Sequence, residues 1–146
     1  MDRPSVAEND AERARLRALV ERLTDEDLRR PMPAGWTVSA VLAHMAFWDA
    51  RAVVLTDKWA GGVAPSGEDW EPPHIDWIND AGKLLMLEMP PRTAARLALE
   101  MAERADRGVE AMPEETLAQV LAIGQPFNLS RANHRREHLD DIERVL

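Results

Sequence analysis

Apolar residues recur every three to four positions along almost the whole of this 146-residue chain, and prolines and glycines cut the pattern into segments. A period near 3.6 lines apolar side chains along one face of a helix, whereas a half-buried strand needs strict alternation. No alternating run of convincing length is present, and neither is an internal repeat or a low-complexity tract. The chain is therefore expected to be all-α.

The segments follow from start and stop signals. Ser5 and Glu8 have capping-box spacing ahead of "VAENDAERARLRALVERL", where Leu16, Val20 and Leu23 form an apolar stripe. Thr24 and Asp27 suit a single capped turn before the prolines of "RRPMPAG". The second helix, "GWTVSAVLAHMAFWDARAVVLTDKWAGG", has Thr37 as N-cap, Trp36 as a hydrophobic staple, and Gly61 and Gly62 as its stop. Its face is Val38, Val41, Leu42, Met45, Trp48, Ala52 and Leu55. A long loop, "GGVAPSGEDWEPP", precedes a third helix that starts near Pro73. Pro90 and Pro91 interrupt that helix, since proline lacks the amide donor and clashes with the turn before it. The pattern resumes with Leu97, Met101 and Ala105 facing inward, and the Met and Leu stripe of the third helix is expected in the core. "PEETLAQVLAIGQP" is a connection with one short helical turn, and "FNLSRANHRREHLDDIERVL" is the last helix. Four long segments in residues 1–146 point to one four-helix bundle domain.

Composition narrows the function classes. A net charge of −8 and a pI near 5.0 lack the basic footprint of a nucleic-acid binder. No apolar run approaches the roughly 20 residues of a bilayer span, and "MDRPSVAEND" has no apolar signal core, so no membrane partner and a cytoplasmic location are expected. Cysteine is absent, which removes thiolate ligands and cysteine nucleophiles and leaves His, Asp and Glu as metal ligands.

Two of the four histidines, His134 and His138, stand four apart and so share one helical face with Ile142 and Val145. Imidazole is a common ligand for divalent transition metals. His44, inside the apolar face of the second helix, is the best third ligand, and three neutral imidazoles would leave a coordination position open. A satisfied core histidine and a solvated histidine pair are the plainer alternatives. A protease-type HExxH is excluded, because Arg135 follows the first histidine.

"GWTVSAVLAHMAFWDARAV" resembles the helix-two signature of the DinB/YfiT-like superfamily: a Trp-Thr-Val lead, an apolar run ending in Leu-Ala-His, then a Trp. "ANHRREHLDDIERVL" resembles its final helix, with HxxxH followed by Leu and acidic residues, about 90 residues further on. The stretch from "DWINDAGKLL" to "AMPEE" is similar to its third helix, so the resemblance spans roughly residues 10–146. It implies a four-helix bundle, often dimeric, with a divalent metal, zinc or nickel, on one residue of helix two and two of the last helix. Those positions are His44, His134 and His138. It also implies an enzyme acting on a small molecule, such as a thiol-dependent S-transferase or maleylpyruvate isomerase-like protein using a low-molecular-weight thiol. Members without known activity leave a metal-binding stress-response bundle without turnover as the alternative.

Such a metal is a Lewis acid that activates water or holds a thiol sulfur as thiolate, so hydrolase and transferase chemistry both stay open. Asp49, Glu137 and Asp141 are candidates to orient a histidine N–H, or else are solvated charges. Trp48, one turn past His44, walls the pocket or packs in the core. Trp70 is a lid over the metal mouth or a pin for its loop, and Asn79 faces the pocket or caps a helix. His74 is expected to be exposed and is not counted as a ligand.

Overall fold

Thr24 and Thr37 start helices as their spacing predicts. Thr24 Oγ1 accepts from the Asp27 amide at 3.1 Å while Asp27 Oδ2 accepts from the Thr24 amide at 3.0 Å, a closed capping box. Thr37 Oγ1 accepts from the Ala40 amide at 3.1 Å. The structure is a computed structural model that describes residues 3–146; Met1 and Asp2 of the expected domain lie outside them. Its helices are α1 (Pro4–Arg22), α2 (Asp25–Arg29), α3 (Val38–Ala60), α4 (Asp76–Met86), α5 (Pro91–Ala111), α6 (Glu114–Ala122) and α7 (Arg131–Val145). Among the described residues there is no strand, only an isolated bridge between Pro31 and Thr37.

Several boundaries differ from the sequence reading, each for a local reason. Arg3, not Ser5, is the N-cap of α1, and no side chain caps it, so Ser5 and Glu8 fall inside the helix. The Arg3 guanidinium instead donates to the carbonyls of Val109, Glu110 and Met112, serving the end of α5. The proline pair separates two helices, α4 and α5, instead of kinking one: Pro90 is extended (φ −54°, ψ 128°) and Pro91 opens α5. The connection after Pro113 holds a nine-residue helix, α6, with Glu114 and Glu115 at its N-terminal end. Phe127 to Ser130 form a loop before α7, and Phe127 stacks on Trp59 at 5.7 Å.

The long helices α1, α3, α5 and α7 enclose the core, with α3 against α5 the most extensive pairing. Ala94, Ala95, Ala98, Ala102 and Ala105 form the buried face of α5; Ala105 lies inward as expected, but Leu97 and Met101 are only half-buried. This row of small residues lets the α3 and α5 backbones approach closely. At Gly108 a Cβ would stand 2.3 Å from Thr56 Oγ1 of α3.

The apolar interior is divided by a polar layer. One cluster contains Leu16, Leu19, Leu42, Met45, Ala102, Leu139 and Ile142; another contains Ala52, Trp59, Ala105, Val109 and Phe127. Asp49 lies between the two along α3, and Asp106, also buried, follows Ala105 of the second cluster on α5.

The fourth helix contradicts the expectation of a buried Met and Leu stripe. Met86 is its only buried residue, while Trp77, Leu84 and Leu85 are 63%, 71% and 75% exposed. α4 packs mainly on α3, with Met86 set among Ala40 and Ala43 of α3 and Ala94 of α5, so one face is covered and the other turns outward. α3 itself is long and apolar enough to cross a bilayer, with a mean hydropathy of 1.4, but 72% of that window is buried inside the fold.

Candidate metal centre

His44 projects from the second turn of α3 and His134 and His138 from successive turns of α7. The two helices bring the three rings together. His134 Nε2 lies 3.3 Å from His44 Nε2 and 3.0 Å from His138 Nε2. The ring centroids are 4.5 to 5.2 Å apart, and each ring is steeply inclined to the others. Nitrogens held tetrahedrally at 2.0–2.1 Å from a zinc-sized ion stand about 3.3 Å from one another; two of the three separations match that value, and all three ligand atoms lie within 4.8 Å of one another.

The electrostatics suit such an ion as well. Burial lowers the His44 pKa to about 4, with a smaller contribution from the field of His138. His134 is held well below the ordinary range, first by burial and then by His138, His44, Arg131 and Arg135. Burial also lowers His138, opposed by the carboxylates of Glu137 and Asp141. The imidazoles are thus neutral at pH 7, the form that ligates. The Nδ1 atoms of His44 and His134 are buried and make no hydrogen bond among the described residues, so no protein acceptor fixes their tautomers. The three Nε2 atoms nonetheless point at one another, an arrangement in which one imidazole N–H cannot satisfy all the facing lone pairs. The donor set and its geometry fit a divalent transition metal.

The surroundings sort the other candidates. Trp48 is buried and donates its indole N–H to Asn79 Oδ1 at 3.0 Å, which joins α3 to α4 at the site. Asn79 therefore faces the pocket, and Trp48 walls one side of it. Asp141 lies on the rim beside His138, held 2.5 Å from Arg144. Asp49 does not reach a histidine. Its Oδ1 accepts from Arg131 Nε at 2.9 Å and its Oδ2 from Arg135 Nη2 at 3.2 Å. Glu137 is exposed, as is His74. Trp70 does not cover the histidines: its ring lies over Gly124, between α6 and α7, and lines neither opening at the cluster. Its loop is fastened there by Asp69, which accepts from the Trp59 indole at 3.0 Å, and by Arg51, which donates to the Asp69 and Pro126 carbonyls.

A cleft of about 840 Å³ opens beside His44 and His138, lined also by Met32, Trp36, Asn79 and Val145. Trp36, read from sequence as a staple, meets the His44 ring edge-on at 5.6 Å.

Arg135 departs most from expectation. It follows the first histidine in a run of charged residues, yet it is 0% exposed. Its guanidinium spans Asp49 and Asp106, with Nη2 to Asp106 Oδ1 at 2.7 Å and Nη1 to Asp106 Oδ2 at 2.8 Å, and it also reaches the Asn9 and Ala102 carbonyls. Arg13 of α1 closes the network on Asp106 at 2.5 Å. The signal was present: Arg131 and Arg135 repeat the four-residue spacing of the histidines, and lone acids interrupt the apolar faces at Asp49 and Asp106. The network anchors α7 to α1, α3 and α5 next to His134 and so fixes the direction in which the histidine pair points.

No curated protein and no solved structure matches the chain. Residues 10–140 match the family described as mycothiol maleylpyruvate isomerase N-terminal domain, a DinB-like four-helix family. With nearly its whole length matched, and the histidines of its second and last long helices brought together, the chain belongs to that family.

Proposed function

We propose that this protein is a divalent-metal-dependent enzyme acting on a small molecule, with His44, His134 and His138 as its metal ligands and a low-molecular-weight thiol as its co-substrate. The observation that carries the reading is the convergence of three neutral imidazoles, two of which, His44 and His138, line a large cleft. Zinc or nickel bound there would supply Lewis acidity and a place for a thiol sulfur as thiolate or for a water. The family description, which names mycothiol, favours the thiol, and hence S-transfer over hydrolysis.

The chain's own residues shape the rest. Trp36 and Trp48 stand on either side of the histidines, and the Asn79 carboxamide holds the Trp48 ring in place. The buried Arg135 network keeps α7 in register so that both of its imidazoles face His44. Asp141 sits where a rim carboxylate can hold a proton or a hydroxyl of an incoming molecule.

A metal-storing bundle without turnover would need only the histidines. The adjoining cleft, of a size usual for small-molecule sites, supports the enzyme reading. A bundle of α1, α3, α5 and α7, a cytoplasmic location and a homodimer belong to the same proposal. The exposed Trp77, Leu84 and Leu85 support the dimer. The test is metal analysis of purified protein followed by a panel of thiols and electrophiles. Expected are one divalent ion per chain, its loss in the His44→Ala/His134→Ala/His138→Ala variant, and thiol-dependent turnover lost with it. Undiminished zinc and nickel binding by the triple variant overturns the ligand assignment.

A further inference from the structure

The histidine cluster is open on a second side. A slot of about 210 Å³, separate from the large cleft, is lined by His44, Trp48, Arg51, Asn79, Arg131 and His134. His44 and Asn79 border both openings, His138 only the large one and His134 only the slot.

The two openings have opposite polarity. Asp76, Asp80 and Asp141 line the large cleft against one cation, Arg144, which is already paired with Asp141. The slot carries Arg51 and Arg131, with Glu71 as the one acid on its lining, 3.9 Å from Arg51 Nη1 and thus beyond hydrogen-bond reach. Arg131 is only partly neutralised, because Asp49 also serves Arg135. Arg131 spends Nε on Asp49 and Nη1 on the Asn128 carbonyl, and Arg51 spends Nη2 on two loop carbonyls. That leaves Arg131 Nη2 and Arg51 Nη1 for a ligand. The two guanidiniums are close enough for the charge of Arg131 to act on Arg51. Arg131 is also the first residue of the 15-residue α7, whose N-terminal dipole end adds positive potential there.

We propose that this slot is a carboxylate subsite, in which Arg51 and Arg131 hold the anionic end of a small substrate beside His134 and His44. Two unsaturated guanidiniums facing one confined space recognise a planar carboxylate better than any neutral group. The volume equals roughly seven waters at about 30 Å³ each, room for a carboxylate with a few carbons. The flat Trp48 ring and the Asn79 carboxamide border the same space. The large, acid-rimmed cleft is then left for the co-substrate, a neutral or hydroxyl-rich molecule. The slot stands on the arginines alone; only what the held substrate is presented to rests on the metal reading.

The test is titration of the metal-free and the zinc-loaded protein with acetate and lactate, and with acetamide and lactamide as uncharged isosteres, following the Trp48 indole N–H by NMR. Both carboxylates are expected to shift that signal in both forms, and neither amide to do so. Arg51→Gln and Arg131→Gln should each weaken carboxylate binding about tenfold or more, and Asp80→Asn, on the opposite cleft, should not weaken it. Arg51 also fastens a loop, so if Arg51→Gln fails to fold, Arg131→Gln and the isostere comparison decide. Equal response to amides, no response to carboxylates, or affinity that survives the Arg131 substitution overturns the slot. Carboxylate binding that appears only with zinc also overturns it. Protein that takes carboxylate but no zinc keeps the slot and loses the metal reading, whereas protein that takes zinc but no carboxylate loses the slot alone.

Discussion

The Nε2 atoms of His44 and His134, 90 residues apart in the chain, stand 3.3 Å from each other across the α3–α7 contact. Two neutral imidazoles at that distance form one hydrogen bond. With His138 Nε2 a further 3.0 Å from His134, the three form a group that could hold a metal ion.

Metal should therefore stabilise the fold through these side chains. Free zinc at 100 times its dissociation constant adds about 2.7 kcal/mol to the unfolding free energy. Thermal melts of the metal-depleted protein should show that gain on adding zinc, and melts of the His134→Ala/His138→Ala variant should show none.

Acid should act on the same residues. Their folded pKa values lie below the ordinary 6.5, His44 at about 4 and His138 lowered by burial, so the unfolded chain binds more protons between those limits. The stability of the metal-free protein is then greatest above pH 6.5 and falls as the pH drops from there toward 4, by up to about 1.4 kcal/mol per pH unit for each histidine. Urea midpoints at pH 7.5, 6 and 5 check the direction, and His44→Gln should flatten the slope.

Removing the buried cation should be costly. Arg135→Ala leaves Asp49 and Asp106 without their shared partner in the interior, a loss expected to be about 3–5 kcal/mol. Since the same side chain orients α7, metal affinity should fall too. A variant that melts like wild type would show that the network contributes nothing.

Gly108→Ala separates packing from propensity. In a helix interior alanine is favoured over glycine by about 1 kcal/mol, so propensity alone predicts stabilisation. The new methyl, however, would meet Thr56 Oγ1 at 2.3 Å and Cβ at 2.9 Å, and Thr56 is a buried, branched residue bonded to the Ala52 and Val53 carbonyls. Net destabilisation of about 1–3 kcal/mol is expected. A raised denaturation midpoint would contradict the close α3–α5 contact.

What the sequence determined by itself was set by periodicity and spacing. The 3.6-residue apolar pattern specified an all-helical chain, Thr24 and Thr37 marked two helix starts by local capping chemistry, and the four-residue interval placed His134 and His138 on one face. These are interactions between near neighbours, so they are legible without the fold. Tertiary structure decided which face of each helix is covered. α4 turns Leu84 and Leu85 outward because α3 covers only its other side. Trp70 settles over Gly124, because Asp69 and Arg51 fasten its loop away from the histidines. Arg135, one residue after His134 and charged like its neighbours, lies wholly buried because Asp49 and Asp106 from two other helices compensate it there. Burying a charge is determined by partners distant in the chain, and no local pattern carries that information.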